Sequence, residues 1–336
     1  MKRILPLFLA LALLLTGCTA VSTTESTSQA VSQVDSPSSA AESASSQLES
    51  VGEVSITDSN GTQITLDTSA PRVVAAYGSF AEAWLLAGGE LCGVTQDALE
   101  QRDLGLPEDI AVVGTVKEPN AEEIIALEPD LVLLASDITA QAEIRDVLEN
   151  AGLACAFFQV DTFADYTFMM EQLCAVTGRE DLYEKNVTQV GQQIEEAQAN
   201  AALSSTRPNV LLIRAFSTGI KAKTDDELAG AILKDLGAHN IADDHPSMLE
   251  DLSLEEVIAA DPDYIFVTTM GDEQKALDYL NGLIQQNPAW SELSAVKEDR
   301  YIVLPKDLFH YKPNNRWGES YQYLGEILYP QLFHEE

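Results

Sequence analysis

Basic residues are scarce: 19 Lys and Arg stand against 54 Asp and Glu among 336 residues, a formal charge of −35. That balance excludes nucleic acid as a partner, because phosphate backbones are held through clustered Lys and Arg. It equally disfavours electrostatic adhesion to anionic lipid. Cysteine is sparse, and four Cys in a chain this long rule out a small disulfide-stapled scaffold. Only four His occur, at 239, 245, 310 and 334, and no pair has helical metal-ligand spacing, so no resident metal site is expected. His245 in Asp243-Asp244-His245 leaves two readings open, a weak metal cue or a solvated loop. No phosphate loop, dinucleotide turn, nucleophile elbow or H-E-x-x-H motif is present. The usual catalytic signatures are therefore missing, and neither a catalytic residue nor a permanently bound cofactor is expected.

What is present begins at the N-terminus. Lys2 and Arg3 precede an apolar run from Ile4 to Leu15, followed by Leu15-Thr16-Gly17-Cys18. That pattern predicts a signal peptide over 1–17 whose apolar run is too short to span a bilayer. The Leu-Thr-Gly-Cys stretch resembles the lipobox of bacterial lipoproteins, which implies lipidation of Cys18 and an extracytoplasmic protein anchored to the cell membrane. Residues 19–50 hold eleven Ser, four Thr and no aromatic residue. Such a composition cannot bury enough surface to fold, so 18–51 is expected to be a disordered tether.

The folded part carries an internal repeat. Residues 120–136 read NAEEIIALEPDLVLLAS and residues 253–269 read SLEEVIAADPDYIFVTT, with six of 17 positions identical. Each copy predicts a short amphipathic helix, a Pro-Asp stop, and an apolar run suited to a buried parallel strand. A match of this length predicts two lobes of like construction. Asn120 and Ser253 are good N-caps, and Glu123 and Glu256 stand where a carboxylate reaches back to the cap. Glu122 and Glu255 are left without a capping duty, and acids also favour the first turn through the macrodipole. A strand at 72–77 should run into a helix capped by Ser79, and Asn60-Gly61 predicts a hairpin. Asp181–Leu203 has one Gly and no Pro, so it predicts a single helix of about 35 Å between the lobes. Expected boundaries are 52–165 for the N-terminal α/β lobe, 166–206 for the bridging helix region and 207–333 for the C-terminal α/β lobe. Each lobe should be Rossmann-like, with a parallel sheet, and the ligand cleft should lie between them. Cys155 and Cys174 are read as buried free thiols or as a disulfide.

Charge is uneven. Residues 207–223 and 300–316 hold four basic residues each, with a single acid between them. Both segments predict a strand followed by a polar loop, and ligands of open α/β sheets bind beyond strand carboxyl ends. Arg214, Lys221, Lys223, Lys306, Lys312 and Arg316 are therefore expected to converge on a cationic pocket, with His310, Tyr311 and Trp317 adding stacking and hydrogen-bonding surface. Tyr77 and Lys117, in the N-terminal half, complete the candidate ligand contacts.

The segments PRVVAAYGSFAEAWLLAGG, VGTVKEPNAEEIIALEPDLVLL, LGAHNIAD, LSLEEVIAADPDYIFV and NPAWSELSAVKEDRYIVLP, together with the N-terminal pattern, give the chain a family likeness. It resembles the substrate-binding lipoproteins of bacterial ABC importers for iron–siderophore complexes, haem and cobalamin, over essentially 54–330. The resemblance implies a monomer that captures a ferric siderophore and delivers it to a permease coupled to an ATPase. Haem or a corrinoid is the alternative cargo. It also implies that Glu122 and Glu255 dock onto arginines of the permease. Axial ligation of haem iron leaves Tyr77, Tyr311 and His310 open. Two other classes stay in view, a surface-anchored α/β enzyme and a sensory or adhesive lipoprotein.

Overall fold

Apolar runs too continuous for a half-exposed strand become the middle of two sheets. The computed structural model describes residues 52–250 and 252–333. The expected signal peptide, Cys18 and the tether lie outside the described residues. Strands β1 (Val54–Thr57) and β2 (Gln63–Leu66) form the hairpin expected around Asn60-Gly61, with Gly61 at φ +79°. Asp58 fixes it: one carboxylate oxygen accepts the Asn60 and Thr62 N–H groups, and the other the Phe157 N–H.

The first sheet takes β3 (Val73–Ala75), β4 (Leu91–Val94) and β5 (Ala111–Val112). A ribbon of β6 (Gly114–Thr115) and β7 (Glu118–Pro119) leads on to β8 (Leu131–Ala135) and β9 (Ala154–Phe158). Its order is β5-β4-β3-β8-β9, parallel throughout. The second sheet takes β10 (Asn209–Phe216), β11 (Gly219–Lys223), β12 (His239–Asn240), β13 (Tyr264–Thr269) and β14 (Tyr301–Val303). Its order is β11-β10-β13-β14, with β12 beside the start of β10; β11 alone is antiparallel. In each sheet the chain builds outward on one side of its first strand and then crosses to the other. The switch points lie at β3/β8 and β10/β13. The fold is α/β, two Rossmann-like lobes joined by a long helix.

The repeat is visible in backbone detail. Glu128 and Asp261, each just before its Pro, both end their helix in the left-handed region, at φ +47° and +42°. Asp130 and Asp263, each just after it, accept the backbone N–H of Arg72 (2.7 Å) and Asn209 (2.8 Å), at the start of the neighbouring first strand. Asn120 and Ser253 cap their helices as expected. The return half of the capping box is not made, because the Glu256 carboxylate takes the Ser247 hydroxyl instead and Glu123 stays exposed. Ser79 is not a cap either. The helix Gly78–Leu86 starts two residues earlier than a Ser79 cap would place it, with Tyr77 at the cap position, and the Asp97 carboxylate accepts the Gly78 N–H at 2.7 Å.

The bridge is helical from Glu180 to Ala202, but not uniformly: Glu184–Thr188 is a π-turn. The wider turn leaves the Asn186 carbonyl to accept the Tyr166 hydroxyl, while the buried Asn186 amide donates to Leu86 O at 2.9 Å. The bulge thus sits where the bridge meets the first lobe. The helix before it, Phe163–Thr177, is a separate element stopped by Gly178 at φ +67°. Val187, Val190, Ile194 and Ala197 of the bridge join Val73, Leu133, Val210 and Phe266 in one hydrophobic cluster, so the two sheets share a core. Cys155 and Cys174 are buried free thiols, in separate clusters on the two faces of the first sheet.

Candidate functional site

Parallel strands whose carboxyl ends point toward one another leave a hollow, and the side chains just beyond those ends line it. Here the hollow is a cavity of about 240 Å³. Tyr77 follows β3, Asp137 and Ile138 follow β8, and Asp161 lies just past β9. From the second lobe come Arg214 on β10, Asp226, Glu227 and Leu228 at the start of the next helix, and Met270 after β13. Phe309, His310 and Lys312 close it from beyond β14. A larger hollow of about 610 Å³ lies between the bridge and the helix Trp317–Leu328. No strand end reaches it, so the functional site is placed at the smaller one.

Every cation lining the cleft carries a carboxylate partner. Arg214 is ion-paired to Glu227, whose other oxygen holds Lys223 at 2.8 Å. That demand on Glu227 explains why it gives no side-chain cap to the helix it precedes. Lys312 reaches across the cleft to Asp161 at 2.9 Å. Burial opposes ionisation of Asp161, but hydrogen bonds from Gln159 and Lys312 outweigh it and hold the carboxyl below its usual range. Asp137 has no ion-pair partner among the described residues, and Asp226 accepts only from Thr224. His310 is neutral: burial first, then the charges of Arg214, Lys306 and Lys312, push it down to about 4. Burial also raises the Tyr77 phenol, helped by Asp97 and Asp137 and opposed by Lys312.

The floor is closed by a clamp between the lobes. Arg102 pairs with Glu82 and donates to Ser79 Oγ (2.8 Å) and to the Lys312 carbonyl (2.9 Å). Asn314, buried and at φ +51°, donates to Ser79 O (2.9 Å) and Glu82 Oε2 (2.6 Å).

Of the residues expected to bind ligand, Tyr77, Arg214, His310 and Lys312 meet in the cleft. The others are dispersed, and the expectation of a cationic pocket is corrected. Lys223 stands behind Glu227, and Lys221 is exposed on the edge strand β11. Lys306 donates to Gly271 O at 2.7 Å. Arg316 is taken by Asp307 and Glu319 outside the cleft. Tyr311 lies against His310, with ring centroids 5.3 Å apart. Trp317 is 1% exposed and meets Phe163 edge to face, so it is a core residue and not a stacking surface. Lys117 is exposed in the β6–β7 turn. Glu122 and Glu255 are exposed at the starts of the helices Ala121–Ala126 and Leu254–Ala260, without side-chain partners among the described residues. Asp137, Asp161, Asp226, Glu227 and Met270 were missed. The usable signal was position, since Asp137, Asp161 and Met270 each follow an apolar strand run.

Known proteins place this geometry. The chain is 26% identical over 253 residues to the Fe(3+)-citrate-binding protein YfmC of Bacillus subtilis, covering 72% of this chain and 76% of that one. It is 25% identical over 192 residues to the iron-uptake system-binding protein of the same organism, covering 56% of this chain and 59% of the relative's length. Staphylococcus aureus IsdE, solved in complex with heme, shares the fold with a TM-score of 0.64 at 18% identity, over 77% of this chain and 99% of that one. No helix among the described residues is long and apolar enough to cross a membrane. The family model of the periplasmic binding proteins matches residues 73–308, and the chain belongs to that family.

Proposed function

We propose that the protein is the extracytoplasmic substrate-binding subunit of an ABC importer, capturing a ferric siderophore and delivering it to a permease and its ATPase. The observation that carries this is the cleft itself: residues from both lobes line one hollow at the strand ends, which suits capture between lobes and not chemistry on a covalent intermediate. The relatives' names, an Fe(3+)-citrate-binding and an iron-uptake protein, point the same way. Haem is the second reading, favoured because Tyr77, Met270 and the neutral His310 all border the cleft and are residue types that ligate haem iron.

The test is titration of the purified protein with ferric siderophores, haemin and cobalamin, followed by calorimetry and, for haemin, by its Soret absorption. Binding of a ferric chelate with haemin silent supports the first reading, a haemin Soret shift supports the second, and no binding at all refutes both.

For this function the chain divides into a signal peptide (1–17), a tether (18–51), two lobes (52–165 and 207–333) and a bridging region (166–206), with a lipid anchor on Cys18 and action as a monomer. Mass spectrometry of the membrane-extracted protein checks the anchor, and C18A should release the protein from the membrane. Glu122 and Glu255 are the proposed permease contacts, two exposed carboxylates on matching helices that offer bidentate bonds to arginine. Reversing both, with E122R and E255R, should abolish uptake and leave ligand affinity unchanged. Lost affinity would remove the assignment.

A further inference from the structure

A cleft selects among cargoes of similar size by charge, because a low-dielectric hollow magnifies every uncompensated group. The lining here holds two cations, Arg214 and Lys312, and four carboxylates, Asp137, Asp161, Asp226 and Glu227. Both cations are already spoken for, Arg214 by Glu227 and Lys312 by Asp161. Glu227 is further neutralised from behind by Lys223. Asp137 and Asp226 are left exposed to the hollow, with no cation on either among the described residues. One wall, Asp137 and Asp161 from the first lobe, contributes no positive charge at all.

We propose that this cleft selects uncharged or singly cationic ferric complexes, the charge class of tris-hydroxamates in which three monoanionic chelating groups cancel the iron. It discriminates against triply negative tris-catecholates. Asp137 and Asp226 set this selectivity. A triply negative complex has to open both ion pairs to find a cation, and it then faces the released carboxylates. An uncharged complex leaves the pairs intact, and a pendant ammonium finds Asp137 or Asp226 unpaired. The proposal rests on the importer reading for iron chelates.

The intact protein is titrated calorimetrically, at one low ionic strength, with three ferric complexes: a triply negative tris-catecholate, an uncharged tris-hydroxamate, and a tris-hydroxamate carrying one free ammonium. The expected result is that the last two bind about tenfold or more tighter than the first. In D137N/D226N the gap should close by about threefold or more, through gained affinity for the anionic complex. Both substitutions are isosteric and exposed, and a thermal melt matching the parent shows the fold intact. Equal or tighter binding of the tris-catecholate overturns the charge selectivity while leaving the importer reading standing. A gap that the Asn substitutions do not narrow overturns the assignment to Asp137 and Asp226. Failure of all three ferric complexes to bind overturns the importer reading for iron chelates, and this proposal with it.

Discussion

The two copies of the repeated unit are alike where they build the sheet and unlike where they meet the cleft. Each has a capped short helix, an acid in the left-handed region before Pro, and an Asp holding the first strand of its sheet. Beyond the strand ends the likeness stops. The first lobe's wall holds Tyr77, Asp137 and Asp161, whereas the second brings Arg214, His310 and Lys312 together with Asp226 and Glu227. A duplicated scaffold constrains backbone hydrogen bonds, which recur at fixed positions. It leaves the residues just past each strand free to differ, and those residues carry ligand chemistry.

The sharpest way to break the comparison is through the clamp, which has no counterpart in the repeat. R102A should destabilise the protein by about 3–5 kcal/mol, because it leaves the Glu82 carboxylate without its counter-charge, with only the Asn314 amide donating to it, and the Lys312 carbonyl without its donor in a largely buried site. The urea midpoint reports this, and a loss under about 1 kcal/mol would mean the lobes are held by the shared core alone.

Next in size is a pH effect confined to the second wall. His310 titrates at about 4 in the folded chain and near 6.5 in the unfolded one. Between those values the unfolded chain binds the proton and the folded chain does not. Its contribution is therefore complete above about 6.5 and is lost as pH falls toward 4, a change of about 3 kcal/mol. The difference in unfolding free energy between the parent and H310Q, measured in urea at pH 7 and pH 4, should shift by that order. A difference independent of pH would show that neither burial nor the three nearby cations holds this imidazole neutral.

These two effects also mark what the sequence could and could not convey. The strands, the hairpin at Asn60-Gly61 and the bridge were legible, because periodicity and Pro or Gly stops act locally. The π-turn at Glu184–Thr188 was not, since it answers to Tyr166 and Leu86 in a different part of the chain. Counting cations in 207–223 and 300–316 located the right loops, yet it missed that Asp161 lies 151 residues before its partner Lys312. Charge runs report what one segment carries, while the field in a cleft depends on segments that folding brings together. Trp317 was misplaced for the same reason: its neighbour Phe163 belongs to the helix leading into the bridge.

A smaller effect sharpens the likeness of the copies. D130A and D263A each remove one carboxylate bond to a backbone N–H at the edge of a strand, and each should cost about 1 kcal/mol. Thermal melts of the two variants should agree within about 0.5 kcal/mol. A large inequality would show that one copy's strand depends on its Asp and the other's does not.

The smallest effect joins the two walls. Lys312 and Asp161 are the pair that spans the cleft, and the carboxylate is about half exposed, so screening limits their coupling to under about 1 kcal/mol. The sign follows from the depressed carboxyl: its contribution is present above the unfolded value near 3.9 and is lost as pH falls through the lower folded value. A double-mutant cycle with D161N and K312M should give this coupling at pH 7 and a progressively smaller one as the pH falls through the carboxyl's folded value. A coupling that survives at low pH would belong to the packing of the lysine stem. One several times larger would make the pair a latch that any cargo has to open. A weak pair is what a cleft that must admit and release its ligand requires, because the lobes are already joined by the clamp and the bridge and need no further tie at the mouth.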